Sequence, residues 1–407
     1  MRIWLINHYG VPPKYYPLAR PTLFAKYLKK MGHEVIIFAS SAVHNSDINL
    51  IEDRVLYRKD RVEGVNYVYI RCRQYKGNGK KRIVNLLEFA GRLSKVCSHF
   101  KKPDVIVSTS FDPISCYCGI RLAKKYKAKA IAEIADLWPE TPVAYGMVKA
   151  SSPIVKGLRV LEKKIYTTAN AIIFTMEGAY QYIEERGWTK EIPRNKVFYI
   201  NNGVDLEEFE RNCREYVIND QDLLAENKIK IVYTGAIRKV NNLGLLLDAA
   251  KLVKNSNVIF LIWGDGDELE QLESRVKLEC INNVKFKGRA DKKFIPYITR
   301  HADINFSHGE HSPIAKYGLS MNKTFDYLAA GKPILTDVLS PYSPIVQCGA
   351  ALEIENPTAE NIAKAVDEMV NLGTDKLEEL GSNASKGAKQ YDFKSLTKQL
   401  ETIINNI

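Results

Sequence analysis

The sequence predicts an α/β protein built from two Rossmann-like domains that face a central cleft. The first observation is length, because 407 residues exceed what one ordinary hydrophobic core accommodates. The second is the order of segments: short apolar runs alternate with amphipathic stretches of helical length, as in parallel sheets joined by crossover helices. The third is that this alternation starts again after residue 201.

In the first half, the predicted strands are rich in Ile and Val and lack polar alternation, as expected when both faces are covered. They comprise residues 2–6, 34–39, 65–70, 104–109, 128–134 and 171–175. Between them, helical periodicity predicts helices over residues 20–31, 82–100, 114–125 and 154–168.

The second half repeats the pattern. Its predicted strands comprise residues 230–234, 258–262, 284–286, 304–307, 333–337 and 351–354. Its predicted helices comprise residues 243–254, 267–279, 292–301, 323–330, 359–372 and 376–390.

These boundaries define the predicted domains. Residues 1–201 form an N-terminal domain and residues 202–392 a C-terminal domain, and we expect the final helix in 393–407 to cross back to the N-terminal domain. Open parallel sheets bind ligands at the carboxyl ends of their strands, so two facing domains would place both ligand sites in one cleft.

Composition narrows the class of protein. The formal net charge of +12, concentrated in residues 1–200, calls for an anionic partner. No apolar stretch reaches the ~20 residues of a membrane-spanning helix, and the N-terminus does not resemble a signal peptide, which predicts a cytoplasmic protein. The seven cysteines have no repeated spacing, so neither a disulfide framework nor a metal site is predicted.

Residues 316–333 are the segment with the most chemical content. A loop of small residues runs into a helix, for which Ser320 is the predicted N-cap. Free backbone N–H groups of a first helical turn can bind phosphate, and Lys323 would add a positive charge there. Asp326 follows about one turn later, where a carboxylate could accept hydrogen bonds from ribose hydroxyls. A capped helix with two solvated charges explains the same residues equally well.

The chain resembles a known family in several ordered motifs. The run NKTFDYLAAGKP (322–333) resembles the donor-binding helix of family-4 retaining glycosyltransferases, which have the GT-B fold, and in particular their bacterial O-antigen and capsular polysaccharide branch. FYINNGVD (198–205), IVYTG (231–235), IWGDG (262–266) and VKFKGR (284–289) are similar to the interdomain turn and to three strand ends of that family.

The resemblance implies a donor site in the C-terminal domain, formed by Gly235, Gly264, Ser320, Asp326 at the ribose and Arg289 near the base. Most members also have two glutamates eight positions apart, and the first of these positions is Gly318 here.

A carboxylate facing the sugar is therefore missing, and the predicted replacement is either backbone groups or Glu310 or His311 from the preceding loop. The usual arginine directly after the phosphate-loop glycine is absent as well. We assign the diphosphate to Arg238 and Lys323 instead.

Two residues of the N-terminal domain are predicted on the acceptor side. Asp136, in ADLWPE (135–140), ends a predicted strand and could orient a hydroxyl or shield developing positive charge on the sugar. A helix N-cap is the alternative explanation for Asp136. Arg20 matches the arginine that begins the first helix of the relatives and is predicted to bind sugar or acceptor.

A membrane surface is the predicted location of the acceptor. The relatives generally use polyprenyl-diphosphate-linked glycans. Residues 82–102 form a basic amphipathic segment that could lie on anionic lipid, although packing of its apolar face on the sheet explains most of these residues. We therefore expect peripheral association with the inner face of the plasma membrane.

The resemblance implies a metal-independent, retaining transferase without a cofactor. It would move a sugar, such as an N-acetylated amino or deoxyamino sugar, from a UDP-sugar to a lipid-linked glycan in O-antigen or lipopolysaccharide biosynthesis. A nucleotide-sugar epimerase of the same build is the nearest alternative. A non-catalytic basic protein that binds membrane or nucleic acid is another, but no nucleic-acid-reading motif is present.

Overall fold

The chain forms two α/β units in this computed structural model, which describes residues 1–77, 79–310 and 312–407. Unit 1 comprises Met1–Asn201 together with Phe393–Ile407, and unit 2 comprises Asn202–Asp392. The last 15 residues therefore belong structurally with the first 201.

Unit 1 contains an eight-stranded sheet in the order β3-β4-β2-β1-β5-β6-β7-β8. All neighbouring pairs are parallel except β3 with β4. The strands are β1 (Arg2–Ile6), β2 (Glu34–Ser40), β3 (Tyr57–Val62), β4 (Val65–Ile70), β5 (Val105–Thr109), β6 (Lys129–Ile134), β7 (Ala171–Phe174) and β8 (Val197–Tyr199).

Helices cover both faces of this sheet, because crossovers in opposite directions along a parallel sheet place their helices on opposite faces. α15 packs against α1, with Phe24 and Phe393 5.5 Å apart between ring centroids, whereas α3 packs against both α2 and α5. The helices are α1 (Arg20–Lys30), α2 (Lys80–Cys97), α3 (Pro113–Tyr126), α4 (Glu140–Ala144), α5 (Pro153–Thr168), α6 (Ala179–Glu185) and, near the chain end, α15 (Phe393–Asn406).

Unit 2 contains a six-stranded parallel sheet in the order β11-β10-β9-β12-β13-β14. The strand β10, which lies between β11 and β9, is buried at every position, as its unbroken apolar sequence predicts. The strands are β9 (Ile229–Thr234), β10 (Val258–Trp263), β11 (Val284–Gly288), β12 (Ile304–Ser307), β13 (Ile334–Thr336) and β14 (Ala351–Glu353).

The helices of unit 2 flank this sheet and begin and end at ordinary local signals. Asp205 caps one helix by accepting from the Glu208 N–H, and Gly331 ends another in the left-handed conformation with φ 66°. They are α7 (Leu206–Glu215), α8 (Leu243–Leu252), α9 (Leu269–Leu278), α10 (Ile295–Arg300), α11 (Asn322–Ala330), α12 (Pro344–Gln347), α13 (Ala359–Val370) and α14 (Thr374–Gln390).

Charge divides unevenly between the units. Unit 1 carries 36 Lys and Arg against 18 Asp and Glu, a formal charge of +18. Unit 2 carries the remaining 23 against 29, a formal charge of −6. The chain's +12 is therefore the difference between a strongly basic unit and a mildly acidic one.

Candidate functional site

Three glycines bring the strand ends of β9, β10 and β11 together in unit 2. The Gly264 N–H donates to the Gly288 carbonyl (2.9 Å), and the Gly235 N–H donates to the Trp263 carbonyl (3.0 Å). A Cβ on Gly264 would lie 1.9 Å from the Gly235 oxygen. Gly264, predicted at the donor, is therefore required first for the close approach of two backbone segments.

Arg238 lies in the loop that follows β9. Its side chain is exposed, and within the described residues it makes no hydrogen bond or ion pair. The backbone is held locally, because the Asn241 N–H donates to the Arg238 carbonyl (2.7 Å). The guanidinium is thus available to an anion at the carboxyl edge of the unit 2 sheet.

The prediction that Ser320 caps α11 is wrong. The helix begins at Asn322, its N-cap residue is Met321, and no side chain caps it. Ser320 instead contacts Asn202 twice: its hydroxyl accepts from the Asn202 backbone N–H (3.4 Å), and its carbonyl accepts from the Asn202 side-chain amide (3.1 Å). These contacts fix the loop that leads into α11.

Lys323 lies in the first turn of α11 and points towards the ends of β9 and β12. Its ammonium donates to the His308 carbonyl (2.7 Å) and lies 4.4 Å from the ring centroid of Tyr233. Burial lowers the pKa of Lys323 to about 8, although the charge of Asp337 opposes this shift. A second anion near the ammonium would favour its charged form.

Sequence reasoning missed a buried pair beside Lys323. Nδ1 of His308 contacts the Asp337 carboxylate, and Nε2 donates to the Asn242 carbonyl (2.9 Å). Both side chains are almost fully buried. The signal was present, because the two residues directly follow the adjacent strands β12 and β13, whose carboxyl ends meet at one edge.

Asp326, predicted at the ribose, is largely buried on α11. One oxygen of its carboxylate pairs with the Lys292 ammonium. The next residue, Tyr327, accepts the Thr234 backbone N–H (2.9 Å) and so fixes α11 to the end of β9. A ribose hydroxyl would have to share Asp326 with Lys292 or displace it.

Backbone conformation explains the missing carboxylate at Gly318. Its φ is 122°, in the region that residues with a Cβ rarely adopt, so a glutamate there would be strained. The predicted replacement Glu310 is exposed, and its carboxylate has no hydrogen bond or ion pair within the described chain. His311 lies outside the described residues. Arg289, predicted near the base, is exposed directly after Gly288.

In unit 1, Asp136 follows the carboxyl end of β6. Burial raises the pKa of its carboxyl group, and across the described residues it has no hydrogen-bond partner. The N-cap explanation is wrong, because α4 begins at Glu140 and its N-cap residue is Pro139. A desolvated carboxyl without a structural partner is a candidate functional group.

The segment after Asp136 is fastened by Glu140. Its carboxylate binds the Arg159 guanidinium at 2.7 and 3.1 Å and lies 3.6 Å from Arg186. Bidentate pairs of this kind restrict geometry strongly. The turn, which contains the cis peptide bond Trp138–Pro139, is therefore attached to α5 and α6.

Arg20 makes buried contacts within unit 1 that the sequence did not indicate. It is buried, binds Glu133 (2.9 Å), and donates to the carbonyls of Asn201 (2.5 Å) and Ile200 (2.9 Å). The Thr109 hydroxyl donates to the other oxygen of Glu133 (2.7 Å). Protein acceptors thus already surround the Arg20 guanidinium, and its predicted contact with sugar or acceptor, which stays a prediction, would require one of these bonds to be exchanged or shared.

Among residues 1–77, 79–310 and 312–407, no group of three or more His, Cys, Asp or Glu side chains is arranged to hold a metal ion. Over the same residues, no helix combines the length and the apolar character needed to cross a bilayer.

Comparison with protein-family models gives two matches that together span most of the chain. Residues 22–208 match the model described as Glycosyltransferase Family 4. Residues 217–387 match the model described as Glycosyl transferases group 1.

Curated relatives are distant. The probable glycosyltransferase WbjE of Pseudomonas aeruginosa is 24% identical over 247 residues, which is 59% of this chain and 59% of WbjE. The putative colanic acid biosynthesis glycosyl transferase WcaI of Escherichia coli is 24% identical over 296 residues, 69% of this chain and 70% of WcaI. The match to WbjE thus spans less than two thirds of that protein.

Solved structures match over the whole chain. Sucrose-phosphate synthase from Thermosynechococcus elongatus aligns with a TM-score of 0.73 at 15% identity, covering 100% of this chain and 98% of that one. Anabaena HepE in complex with UDP-glucose aligns with a TM-score of 0.67 at 14% identity, covering 100% of each chain. At these identities the likeness shows a shared fold.

Proposed function

Because the chain belongs to the group 1, family 4 glycosyltransferases and has the GT-B fold, we propose that it transfers a sugar, with retention of configuration, from a UDP-sugar to a lipid-linked glycan acceptor. The pathway we propose is the biosynthesis of O-antigen or another surface polysaccharide. The colanic acid assignment of WcaI supports this pathway. We propose that the protein works at the anionic inner face of the plasma membrane.

The observation that carries the donor site is the exposed guanidinium of Arg238, which has no partner among the described residues and lies at the same sheet edge as the Lys323 ammonium. These two cations and the free N–H groups of the first turn of α11 would bind the diphosphate. As the bond between the sugar and the diphosphate breaks, negative charge develops on the leaving group. Fixed positive groups stabilise that charge without reorganising.

The remaining donor contacts follow from the same edge. Asp326 would accept hydrogen bonds from the ribose after exchanging or sharing its contact with Lys292. Arg289 would lie near the base, and Gly235 and Gly264 would present backbone that admits the nucleotide closely. Glu310 would supply the carboxylate that the position of Gly318 lacks.

We assign unit 1 to the acceptor and Asp136 to the reaction. Its carboxylate would orient the attacking hydroxyl or offset positive charge on the sugar ring. The new bond forms between the acceptor oxygen and the anomeric carbon, and the hydroxyl proton passes to the departing phosphate. Arg20 would act indirectly, as the residue that positions α1 against β6.

A ligand screen followed by a transfer assay tests the proposal. UDP-sugars should raise the unfolding temperature, and GDP- and dTDP-sugars should raise it less. A polyprenyl-diphosphate glycan should then gain one sugar whose anomeric configuration, measured by NMR, matches the donor. Absence of a shift with every nucleotide sugar would contradict the proposal. An isomerised sugar formed without acceptor would identify an epimerase instead.

A further inference from the structure

One layer of unit 1 exposes several large apolar side chains, and such grouping is informative although single exposed apolar residues are ordinary on a protein surface. Met147, in the segment that joins α4 to α5, is 65% exposed, and Ile154, in the first turn of α5, is 74% exposed. Ile83 and Leu87, in the first two turns of α2, are 54% and 51% exposed. We call these four residues and Val148, 42% exposed, the apolar surface.

These residues belong to one helical layer. The crossovers that contain α2, α3 and α5 run in the same direction along the sheet, so the three helices lie on one face. α3 contacts both α2 and α5. Each helix follows a strand and begins at the carboxyl edge of the sheet, so its first turns lie near that edge.

Other side chains form the buried face of this helical layer. Phe89, Leu93 and Val96 of α2 are buried, so this half of the predicted amphipathic segment packs on the protein. The exposed half is thus an addition to a complete core. Fold stability does not require Ile83, Leu87, Met147 or Ile154 to be apolar.

Basic side chains accompany the apolar surface, and in the described parts of α2, α4 and α5 each acidic side chain is buried or bound by arginine, including Glu88 beside Leu87. Lys80, Lys81, Lys149 and Lys156 are exposed, and in the described residues none forms an ion pair. The sequence has no Asp or Glu between Glu140 and Glu162. Glu140 is bound by arginine and Glu162 is buried.

We propose that the apolar surface docks on an anionic lipid bilayer, with its apolar side chains in the interface and these lysines on the headgroups. Apolar burial and attraction to anionic lipid are the two contributions that hold a peripheral protein on a membrane. A second copy of the chain fits less well, because it would bring lysines against lysines. The inference rests on the proposed function in that a lipid-linked acceptor must be met at a membrane.

The part of the apolar surface between α4 and α5 is rigidly connected to the candidate acceptor site. Arg159 binds the Glu140 carboxylate and also donates to the Ala150 carbonyl (3.2 Å), so one side chain fixes both ends of α4 and its connection. Asp136 lies four residues before Glu140. Docking would therefore hold the Asp136 edge of the sheet next to the lipid headgroups, where an acceptor diphosphate lies.

Vesicle co-sedimentation of the full chain tests the inference. The wild-type protein should bind vesicles of phosphatidylglycerol and phosphatidylcholine in equal parts, bind pure phosphatidylcholine vesicles far less, and release in salt. Met147→Asp with Ile154→Asp should weaken binding about tenfold or more, since both apolar and electrostatic contributions fall. Lys149→Gln with Lys156→Gln should reduce the salt dependence.

A matched pair in unit 2 controls for the charge change. Leu278→Asp with Val217→Asp alters two side chains that are 84% and 57% exposed, and it should leave vesicle binding unchanged. Three results would overturn the inference. They are an equal loss of vesicle binding in both pairs, equal binding of the wild type to both vesicle types, and self-association of the wild type that the Met147/Ile154 variant abolishes.

The two proposals fail in different ways. The UDP-sugar thermal shift needs no lipid, so it should persist in the Met147/Ile154 variant and also shows that the variant is folded. A protein that shifts with UDP-sugar but ignores anionic vesicles refutes docking alone. A protein that binds vesicles but no nucleotide sugar refutes the proposed function alone.

Discussion

Unit 1 and unit 2 share one architecture but differ in how they handle charge. Unit 1 is strongly basic, yet its candidate carboxyl, Asp136, has no cationic partner among the described residues. Unit 2 is mildly acidic, yet its strand ends present Arg238 and Lys323. The net charge of a unit therefore does not determine the charge at its candidate ligand site, because that charge depends on a few side chains near the carboxyl ends of the strands.

The largest effect on activity is expected at the exposed basic residue Arg238 of the mildly acidic unit 2. Arg238→Ala should lower kcat/KM for the UDP-sugar about 100-fold, because in our proposal it removes a cation that would stabilise the leaving diphosphate. Lys239→Ala removes the neighbouring exposed cation and should change kcat/KM little. Similar losses in both variants would mean that only general positive potential matters at this edge.

The corresponding test of unit 1 is Asp136→Asn. We expect kcat to fall roughly 100-fold, in the range of a positioned proton-transfer or charge-stabilising group, while the UDP-sugar thermal shift stays unchanged. Asp53→Asn, at an exposed carboxylate of unit 1, is the control.

A pH profile sharpens the same test. Burial raises the pKa of Asp136, so a reaction that needs the carboxylate loses rate as pH falls through that raised value, earlier than for an ordinary Asp. The Asn variant should lack this acidic limb. If the Asn variant shows the same loss of rate at low pH, that loss comes from another titrating group.

Two glycine substitutions compare the packing of the units. Gly264→Ala should destabilise the protein by about 1–3 kcal/mol or more, because the new Cβ would lie 1.9 Å from a backbone oxygen. Gly91→Ala, in α2 with no atom near the added Cβ, should stabilise by about 0.5–1 kcal/mol through helix propensity. Chemical denaturation measures both. A tolerated Gly264→Ala would show that the strand-end loops can separate.

The last comparison concerns two buried groups with opposite pH dependence. Burial raises the pKa of Glu162 in unit 1 to about 8, despite hydrogen bonds from the Tyr182 and Tyr166 hydroxyls. The folded state then binds an extra proton between the ordinary Glu value and about 8. As the pH rises through that range, the free energy of unfolding should fall by up to about 1.4 kcal/mol per pH unit.

Glu162→Gln should flatten this part of the stability curve, and Glu184→Gln, at an exposed position of α6, should not. Lys323 in unit 2 acts in the opposite sense. Its folded pKa of about 8 lies below its ordinary value, so its contribution to stability increases with pH above about 8. Thermal unfolding from pH 5 to 10 separates the two, and an unaltered slope in Glu162→Gln would exclude Glu162 as its source.

The fold was predictable from sequence wherever apolar runs marked buried strands. The structure confirms the two α/β sheets, and runs such as β10 needed no tertiary information. β3 was missed because its sequence, YRKDRV, is mostly charged, as suits an exposed strand at the sheet edge that pairs on one side only.

The site was less predictable, because its contacts join residues far apart in sequence. Ser320 has the residue type of an N-cap, but its hydroxyl contacts Asn202, and the N-cap residue is Met321, one position later. The pair of His308 with Asp337 joins the ends of two strands that one helical crossover separates in the chain. Arg20 matched a family position, but only the structure shows that Glu133 and two carbonyls surround it.

The return of α15 to unit 1 makes unit 2 an insert. The chain enters unit 2 at Asn202 and leaves it at Asp392, and the Val204 N–H donates to the Tyr391 carbonyl (3.0 Å). Unit 2 is therefore one uninterrupted stretch with adjoining ends, suited to excision as a single gene fragment. Unit 1 has no such fragment, and a chain terminated before Phe393 would leave the α1 face of its core without a cover.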